Sequence, residues 1–129
     1  MSRTWVIVAV AVGGALGALL RFGLSRGLQQ QSATAFPIGT LAANLIGCLG
    51  IGFCYVWLES RGSPALRDGI RIGLIGALTT FSTYCIESIA LLEKGAYGYA
   101  LANLAGSVVL GLAACYLGIV LARSIFGFA

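Results

Sequence analysis

The sequence predicts an all-α membrane protein with four transmembrane helices, and three observations lead to this prediction. Hydrophobic residues make up 59% of the 129 residues, whereas charged residues make up only 9%. Four stretches carry no charge at all, namely 4–20, 27–58, 72–86 and 95–122. A helix needs about 20 apolar residues to cross the hydrocarbon core, so each stretch holds one helix. We therefore expect a single four-helix transmembrane domain over residues 1–129.

The helices are expected over residues 4–24, 37–58, 68–92 and 97–126. Polar connectors are expected over residues 25–36 and 59–67, and a tight turn at Glu93-Lys94-Gly95. The first uncharged stretch is slightly short, and Arg21 completes the helix if its side chain snorkels to the interface or faces a partner. A signal peptide is the rival interpretation of this stretch. The apolar stretch is longer than a usual signal core, and its glycines at 13, 14 and 17 suit helix packing better than cleavage.

The third helix carries hydroxyl and aromatic residues where a plain spanning helix carries Leu and Val. The run is Gly76-Ala77-Leu78-Thr79-Thr80-Phe81-Ser82-Thr83-Tyr84. A polar group without a partner is costly in hydrocarbon, so the run must pair within protein or line an aqueous path. Back-bonding of hydroxyls to the preceding turn explains one or two such residues. Four hydroxyls in five positions favour a helix that is broken near its middle and offers free backbone groups to an ion.

The two aromatic residues of this run suggest which ion. Phe81 and Tyr84 are three residues apart and share one face, where two ring edges would attract a small anion weakly. Weak attraction suits conduction, because a permeating ion must also be released.

Polar residues also interrupt the second and fourth helices. Asn44 lies inside the second helix, with Thr40 one turn earlier. Asn103, Ser107 and Gly111 follow one another along one face of the fourth helix. Hydrogen bonding between helices and a polar pathway both explain such residues. Their presence on three helices together favours a pathway of donors without lysine or arginine, which suits a small, strongly hydrated anion.

Glu87 lies three residues after Tyr84, near the end of the third helix. It is expected to be interfacial or to pair with an arginine. Arg21 is the candidate partner, because the first and third helices end on the same side of the membrane.

The charges orient the chain only weakly. With four spans, one side carries the arginines at 3, 61, 67, 71 and 123, and the other carries those at 21 and 26 together with Lys94. Five positive charges against three is a small bias under the positive-inside rule. Insertion in both directions, and an antiparallel dual-topology homodimer, are therefore expected. Four short helices also enclose too little volume for a pore of their own.

The inventory of reactive side chains argues against an enzyme. The chain has no histidine and four acidic residues, which leaves little material for hydrolytic or metal chemistry. The four cysteines fall within the predicted spans without metal-ligand spacing and are expected to pack as small hydrophobic residues. The expected partners are a second copy of the chain, the lipid bilayer and a small anion, and no nucleic acid.

The chain resembles the Fluc, or CrcB, family of small bacterial fluoride channels over nearly its whole length. The matching segments are Gly13-Gly14 to Arg21-Phe22, Gly39-Thr40-Leu41 with Asn44 and Gly47, and Gly76 to Tyr84 followed by Glu87. The resemblance implies a fluoride-selective channel of the bacterial inner membrane that lets cytoplasmic fluoride leave the cell. It also implies two pores per antiparallel dimer and a structural sodium ion.

The resemblance assigns roles to individual residues. It implies that the backbone carbonyls of Gly76 and Thr79 hold the sodium ion. The implied fluoride pathway comprises Asn44, Phe81, Thr83, Tyr84, Asn103 and Ser107. Structural or electrostatic roles are expected for Arg21, Thr40 and Glu87.

The chain departs from the family pattern at several positions. Tyr84 stands where the family usually has Phe, Ala77 where it has Gly, and Phe22 where it has Trp or Tyr. Gly111 stands where some relatives have a hydroxyl. The extra hydroxyl of Tyr84 is expected either to donate to the ion or to tether the ring.

Two other classes compete with a channel. A small multidrug-type, proton-coupled transporter also has four helices and can insert both ways, but it needs a membrane-embedded carboxylate, which the first helix lacks. A non-transporting accessory protein would explain the glycines but not the polar residues inside the spans.

Overall fold

Long apolar helices account for most of the chain. The computed structural model describes residues 3–127, apart from the side chains of residues 60 and 61. Arg61, counted above in the charge bias, therefore has its side chain outside the described part. The elements are α1 (Arg3–Gln31), α2 (Ile38–Arg61), α3 (Pro64–Asp68), a π-helical segment (Gly69–Ile75), α4 (Gly76–Leu78), α5 (Phe81–Glu93) and α6 (Tyr97–Phe126).

Four stretches are long and apolar enough to cross a bilayer, and we call them spans 1 to 4. They are Arg3–Gln31, Ile38–Glu59, Pro64–Glu93 and Tyr97–Phe126. The prediction of an all-helical, multi-pass membrane protein is confirmed. The bounds of the last helix agree with the prediction, and the turn before it contains Gly95 at a φ of 70°, a left-handed conformation that suits glycine.

The first connector is shorter than predicted, because α1 continues as far as Gln31. Arg26 and the glutamines at 29–31 are good helix formers, and side chains on this extension hydrogen-bond to the start of span 2. The Gln29 amide donates to the Phe36 carbonyl at 3.3 Å, and its oxygen accepts the Gly39 N–H at 3.5 Å. The Ser25 hydroxyl donates to the Gly39 carbonyl at 3.3 Å. These hydrogen bonds stabilise the polar extension of α1, which has few apolar side chains to bury.

The second connector is also shorter than predicted, since α2 runs to Arg61 and α3 already begins at Pro64. Ser63 caps α3 by accepting the Leu66 N–H at 3.3 Å, and Pro64 occupies the first turn, where no N–H is needed. Span 3 therefore starts about one turn earlier than the expected Asp68.

Glycines allow the spans to approach closely, as their number predicted. A Cβ at Gly13 would collide with the Gly69 carbonyl oxygen, and one at Gly17 with the Leu74 carbonyl oxygen, which brings α1 against the π-helical segment. A Cβ at Gly118 would likewise collide with the Leu49 carbonyl of α2. The packing explanation does not extend to every glycine, because Gly14 and Gly106 have no such neighbour within 4 Å among the described residues.

Candidate functional site

The centre of span 3 is not helical. Thr79 (φ −83°, ψ 154°) and Thr80 (φ −151°, ψ 114°) have extended backbone angles between the end of α4 and the start of α5. The span as a whole is bent by only 15°. Thr80 caps α5, since its hydroxyl oxygen accepts the Thr83 N–H at 3.2 Å. Thr79 and Thr80 thus form a two-residue extended segment, which we call the interruption, within a nearly straight span. Their backbone groups require partners other than the usual helical ones.

Asn44 of span 2 supplies partners for both backbone groups of Thr80. Its Oδ1 accepts the Thr80 N–H at 2.7 Å, and its Nδ2 donates to the Thr80 carbonyl at 3.2 Å. An amide side chain is suited to this role because it carries an acceptor and two N–H donors. One donor N–H is left over for another ligand. Asn44 therefore acts on the interruption directly, which the pattern of the sequence did not indicate.

The interruption changes the partners of three neighbouring carbonyls. The Thr80 N–H, which a continuous helix would donate to Gly76, goes to Asn44 instead. The Thr83 N–H goes to the Thr80 hydroxyl rather than to the Thr79 carbonyl. The carbonyls of Gly76 and Thr79, the predicted sodium ligands, have thus lost their helical donors. The Ala77 carbonyl is occupied, because the Arg21 Nε donates to it at 3.1 Å.

Part of the hydroxyl run bonds back to the backbone, as the simpler interpretation anticipated. The Thr79 hydroxyl donates to the Ile75 carbonyl at 3.1 Å and reaches the Gly76 carbonyl at 3.5 Å. The Thr80 hydroxyl donates to that of Thr83 at 3.0 Å. These hydroxyls therefore provide hydrogen-bond partners for backbone groups at both ends of the interruption and for one another.

One cavity, the first cavity, lies on the α1 side of the interruption and has a volume of about 540 Å³. Its lining includes Arg21, Arg26, Thr40, Thr80, Thr83 and Glu87. The Thr40 hydroxyl donates to Glu87 Oε1 at 2.8 Å. The other carboxylate oxygen of Glu87 is buried and has no hydrogen-bond partner in the described part of the chain.

The predicted ion pair between Arg21 and Glu87 is not formed. Both side chains line the first cavity, but the guanidinium of Arg21 bonds to a backbone carbonyl and Glu87 bonds to a hydroxyl. The Ala77 carbonyl competes with Glu87 for the guanidinium of Arg21. The sequence does not reveal this competition, because it depends on the extended backbone of span 3.

A second cavity of about 380 Å³ lies on the other side of the interruption, between spans 2, 3 and 4. Its lining includes Asn44, Arg71, Thr80, Phe81, Tyr84 and Ser107. Four of the six predicted pathway residues are therefore brought together here, while Thr83 lines the first cavity and Asn103 lines neither. Thr80 lines both cavities, so the two spaces adjoin at the interruption.

The two aromatic rings of the second cavity lie against each other but differ in exposure. The ring centroids of Phe81 and Tyr84 are 5.5 Å apart, with 35° between the ring planes. Phe81 is 77% exposed, whereas Tyr84 is only 9% exposed. The Tyr84 hydroxyl donates to the Leu104 carbonyl of span 4 at 3.1 Å. Of the two roles anticipated for this hydroxyl, the structure has the tether.

The polar stripe of α6 bonds to α5 through a residue that the sequence analysis passed over. The Ser107 hydroxyl donates to Asn103 Oδ1 at 3.2 Å, and Asn103 Nδ2 donates to Ser88 Oγ at 2.9 Å. The Ser88 hydroxyl in turn donates to the Tyr84 carbonyl at 2.7 Å. Asn103 and Ser88 are almost completely buried, so this part of the stripe joins two helices.

Arg71 is the other residue that sequence reasoning missed at this site. The charge pattern places Arg71 at a membrane boundary, but its side chain lines the second cavity. The prediction of a pathway without lysine or arginine is therefore wrong for this cavity. The guanidinium carbon lies 5.9 Å from the centroid of the Tyr55 ring, and no carboxylate of the described residues forms an ion pair with it. The signal available in the sequence was the position of Arg71, about one helical turn before Gly76, where the hydroxyl run begins.

The family model described as CrcB-like protein, Camphor Resistance (CrcB), matches residues 8–119. A protein of Stutzerimonas stutzeri named Fluoride-specific ion channel FluC is 45% identical over 117 residues, which cover 89% of this chain and 94% of that protein. Proteins of the same name from Aquifex aeolicus (43% over 122 residues, 93% and 98% covered) and Sulfurovum sp. (38% over 125 residues, 97% and 99% covered) are also similar. The region matched by the family model contains both cavities.

Proposed function

The chain belongs to the CrcB family, and on that premise we propose that it is a fluoride-selective ion channel. The observation that carries the proposal is that two cavities, each lined in part by polar and charged side chains, meet at Thr80 in the middle of a membrane span. The names of the relatives agree with the expectation that the chain is not an enzyme.

The charges and donors of the two cavities suit an anion. Arg21 and Arg26 outnumber the carboxylate of Glu87 in the lining of the first cavity, and the excess positive charge raises the local anion concentration there. Beyond Thr80, the remaining N–H of Asn44 and the edges of the Phe81 and Tyr84 rings offer weak electropositive contacts. Weak contacts in series permit entry and release, so we propose that fluoride passes from the first cavity to the second along this route.

The exposure of the interruption supports assembly with a second copy. Phe81 is 77% exposed, and Gly76 is also exposed on the single chain. Opened backbone at membrane depth is tolerated only where protein or water covers it, because hydrocarbon satisfies no hydrogen bond. We propose that a second copy covers this face. Given the weak charge bias, the copies run antiparallel, and the dimer has two equivalent pathways.

The sodium ion expected from the resemblance fits the carbonyls of this span. The Gly76 and Thr79 carbonyls lack their helical donors, and such unwound carbonyls are the groups that hold Na⁺ in membrane transporters. One chain contributes too few oxygen atoms for a full shell, so the proposed site draws on both copies. When bound, the ion would supply positive charge between the two interruptions. Unchanged thermal stability and fluoride efflux after exchange of sodium for a large organic cation would contradict this site.

Efflux from liposomes tests the main proposal. Liposomes containing the purified protein are loaded with fluoride, and the release is followed with a fluoride electrode; chloride-loaded liposomes form the control. We expect rapid fluoride release and little chloride release. Absence of fluoride release, or equal release of both ions, would rule out a fluoride-selective channel.

Two substitutions test the route. Phe81→Ile removes the exposed ring, and Asn44→Asp replaces both N–H donors of the amide, including the one left over, with negative charge. Each is expected to abolish most of the fluoride efflux while the protein still elutes as a dimer in size-exclusion chromatography. Normal conduction by both variants would show that the pathway lies elsewhere.

Transport of cations tests the alternative. A small multidrug-type transporter would take up a cationic dye in exchange for protons, and Glu87 is the carboxylate available for this in the first cavity. Proton-driven dye uptake without fluoride release would favour that class. In the cell, we propose that the channel lies in the bacterial inner membrane, where it lets cytoplasmic fluoride leave.

A further inference from the structure

Four polar groups form one hydrogen-bonded chain between α6 and α5. It runs from the Ser107 hydroxyl to Asn103 Oδ1, from Asn103 Nδ2 to Ser88 Oγ, and from the Ser88 hydroxyl to the Tyr84 carbonyl. Ser88 is 2% exposed and Asn103 is 1% exposed, so neither has access to the pathway. Ser107 is partly buried and lines the second cavity. A buried network therefore ends on a group that faces the proposed route.

The direction of every bond in this chain follows from its last member. The Tyr84 carbonyl can only accept, so the single proton of Ser88 points towards it. Ser88 Oγ can then only accept from Asn103, which fixes the NH₂ of the amide on the Ser88 side. The Oδ1 of Asn103 consequently faces Ser107, and Ser107 must donate its only proton to it.

Ser107 therefore presents oxygen lone pairs, and not a proton, to the second cavity. We propose that Asn103 and Ser88 act as positioning residues that set the hydrogen-bond polarity of Ser107 and thereby weaken the hold of the second cavity on fluoride. This inference rests on the proposed channel function. An anion can bind the Ser107 proton only by displacing Asn103 Oδ1, which leaves a buried acceptor without a partner. The cost of that competition keeps fluoride from being retained.

Asn103→Leu tests the inference, because leucine has the same branched arrangement of heavy atoms and offers no acceptor for Ser107. The proton of Ser107 is then free to donate to fluoride. The initial efflux rate is measured over a series of internal fluoride concentrations to obtain a half-saturating concentration and a maximal rate. We expect the half-saturating concentration to fall by on the order of tenfold, the loss of one such competing hydrogen bond, together with a lower maximal rate.

A second substitution shows whether Ser107 is responsible. In an Asn103→Leu/Ser107→Ala double variant there is no proton to release, so its half-saturating concentration should match that of Ser107→Ala alone. If Asn103→Leu does not fold, as judged by its elution profile, Ser88→Ala serves instead. That change frees the amide of Asn103 to reorient, and it should shift the half-saturating concentration in the same direction by a smaller factor.

A purely structural role of the network gives a different result. The maximal rate or the yield of folded protein would then fall while the half-saturating concentration stays unchanged, and this outcome would overturn the inference. A rate that increases linearly with fluoride in the foldable variant would overturn it as well. If the unmodified protein releases no fluoride, the proposed channel function is wrong. If it releases fluoride but the variants behave as above, only the inference about Asn103 and Ser88 is wrong.

Discussion

Replacement of Asn44 by leucine is the sharpest test of how the interruption is held together. The leucine side chain has the same branched arrangement of heavy atoms but supplies neither the acceptor for the Thr80 N–H at 2.7 Å nor the donor for its carbonyl at 3.2 Å. Both backbone groups would be left in a partly buried position within the membrane. The protein is therefore expected to lose stability through this one contact.

The magnitude follows from the number of groups left unpaired. A buried donor or acceptor without a partner costs about 1–3 kcal/mol, so two groups correspond to about 2–6 kcal/mol. Partial exposure of Thr80 places the expected loss in the lower half of that range. Asn44→Asp retains an acceptor for the N–H and loses only the donor, so its loss from hydrogen bonding should be about half as large.

Thermal unfolding in detergent measures the difference, with the folded fraction read from the size-exclusion peak after heating. Asn44→Leu is expected to unfold at a lower temperature than the unmodified protein. An Asn44→Leu protein that is as stable as the unmodified one would refute the view that Asn44 holds the interrupted backbone.

Three further substitutions follow from the structure. Tyr84→Phe removes the tether to Leu104 and should lower stability by about 1 kcal/mol in the same unfolding assay while fluoride efflux continues; loss of efflux would contradict a tethering role. Arg71→Gln removes a positive charge from the second cavity and should lower efflux by up to about tenfold at low salt, and less at high salt. The exposed Arg123→Gln is its control, and an equal effect of both would contradict a local role for Arg71. Gly17→Ala places a methyl group on the Leu74 carbonyl and should prevent folding, whereas Gly14→Ala meets no neighbouring atom and should be tolerated; equal yields of both would contradict the close packing of α1.

Much of the fold was predictable from hydrophobicity, because a bilayer dictates the length of its helices. The four spans and the bounds of α6 follow from uncharged stretches alone. The extension of α1 to Gln31 could not be predicted in this way, because it depends on hydrogen bonds from Gln29 and Ser25 to the start of span 2. Contacts between a helix end and a distant backbone are not encoded in local periodicity.

The candidate site was predictable in its composition but not in its bonding. The density of hydroxyls between Thr79 and Thr83 marks the unusual part of span 3, and Asn44 stands out as a polar residue inside a span. Nothing in the pattern indicates that Asn44 binds Thr80, since the partner is a backbone group that only the extended conformation releases. Ser88 was overlooked for a similar reason, because a single serine in a helix ordinarily bonds to its own preceding turn.

The side chains that hydrogen-bond to the backbone around the interruption come from particular spans, and this has a consequence for the order in which the protein folds in the membrane. Chains are synthesised from the N-terminus, so spans 1 and 2 are available before span 3. Arg21 and Asn44, which bind the Ala77 carbonyl and both backbone groups of Thr80, come from those earlier spans. Span 3 can therefore find partners for its opened backbone as it enters the bilayer. The tether from Tyr84 and the network through Asn103 must wait for span 4, which makes docking of the last helix the step that fixes the second cavity.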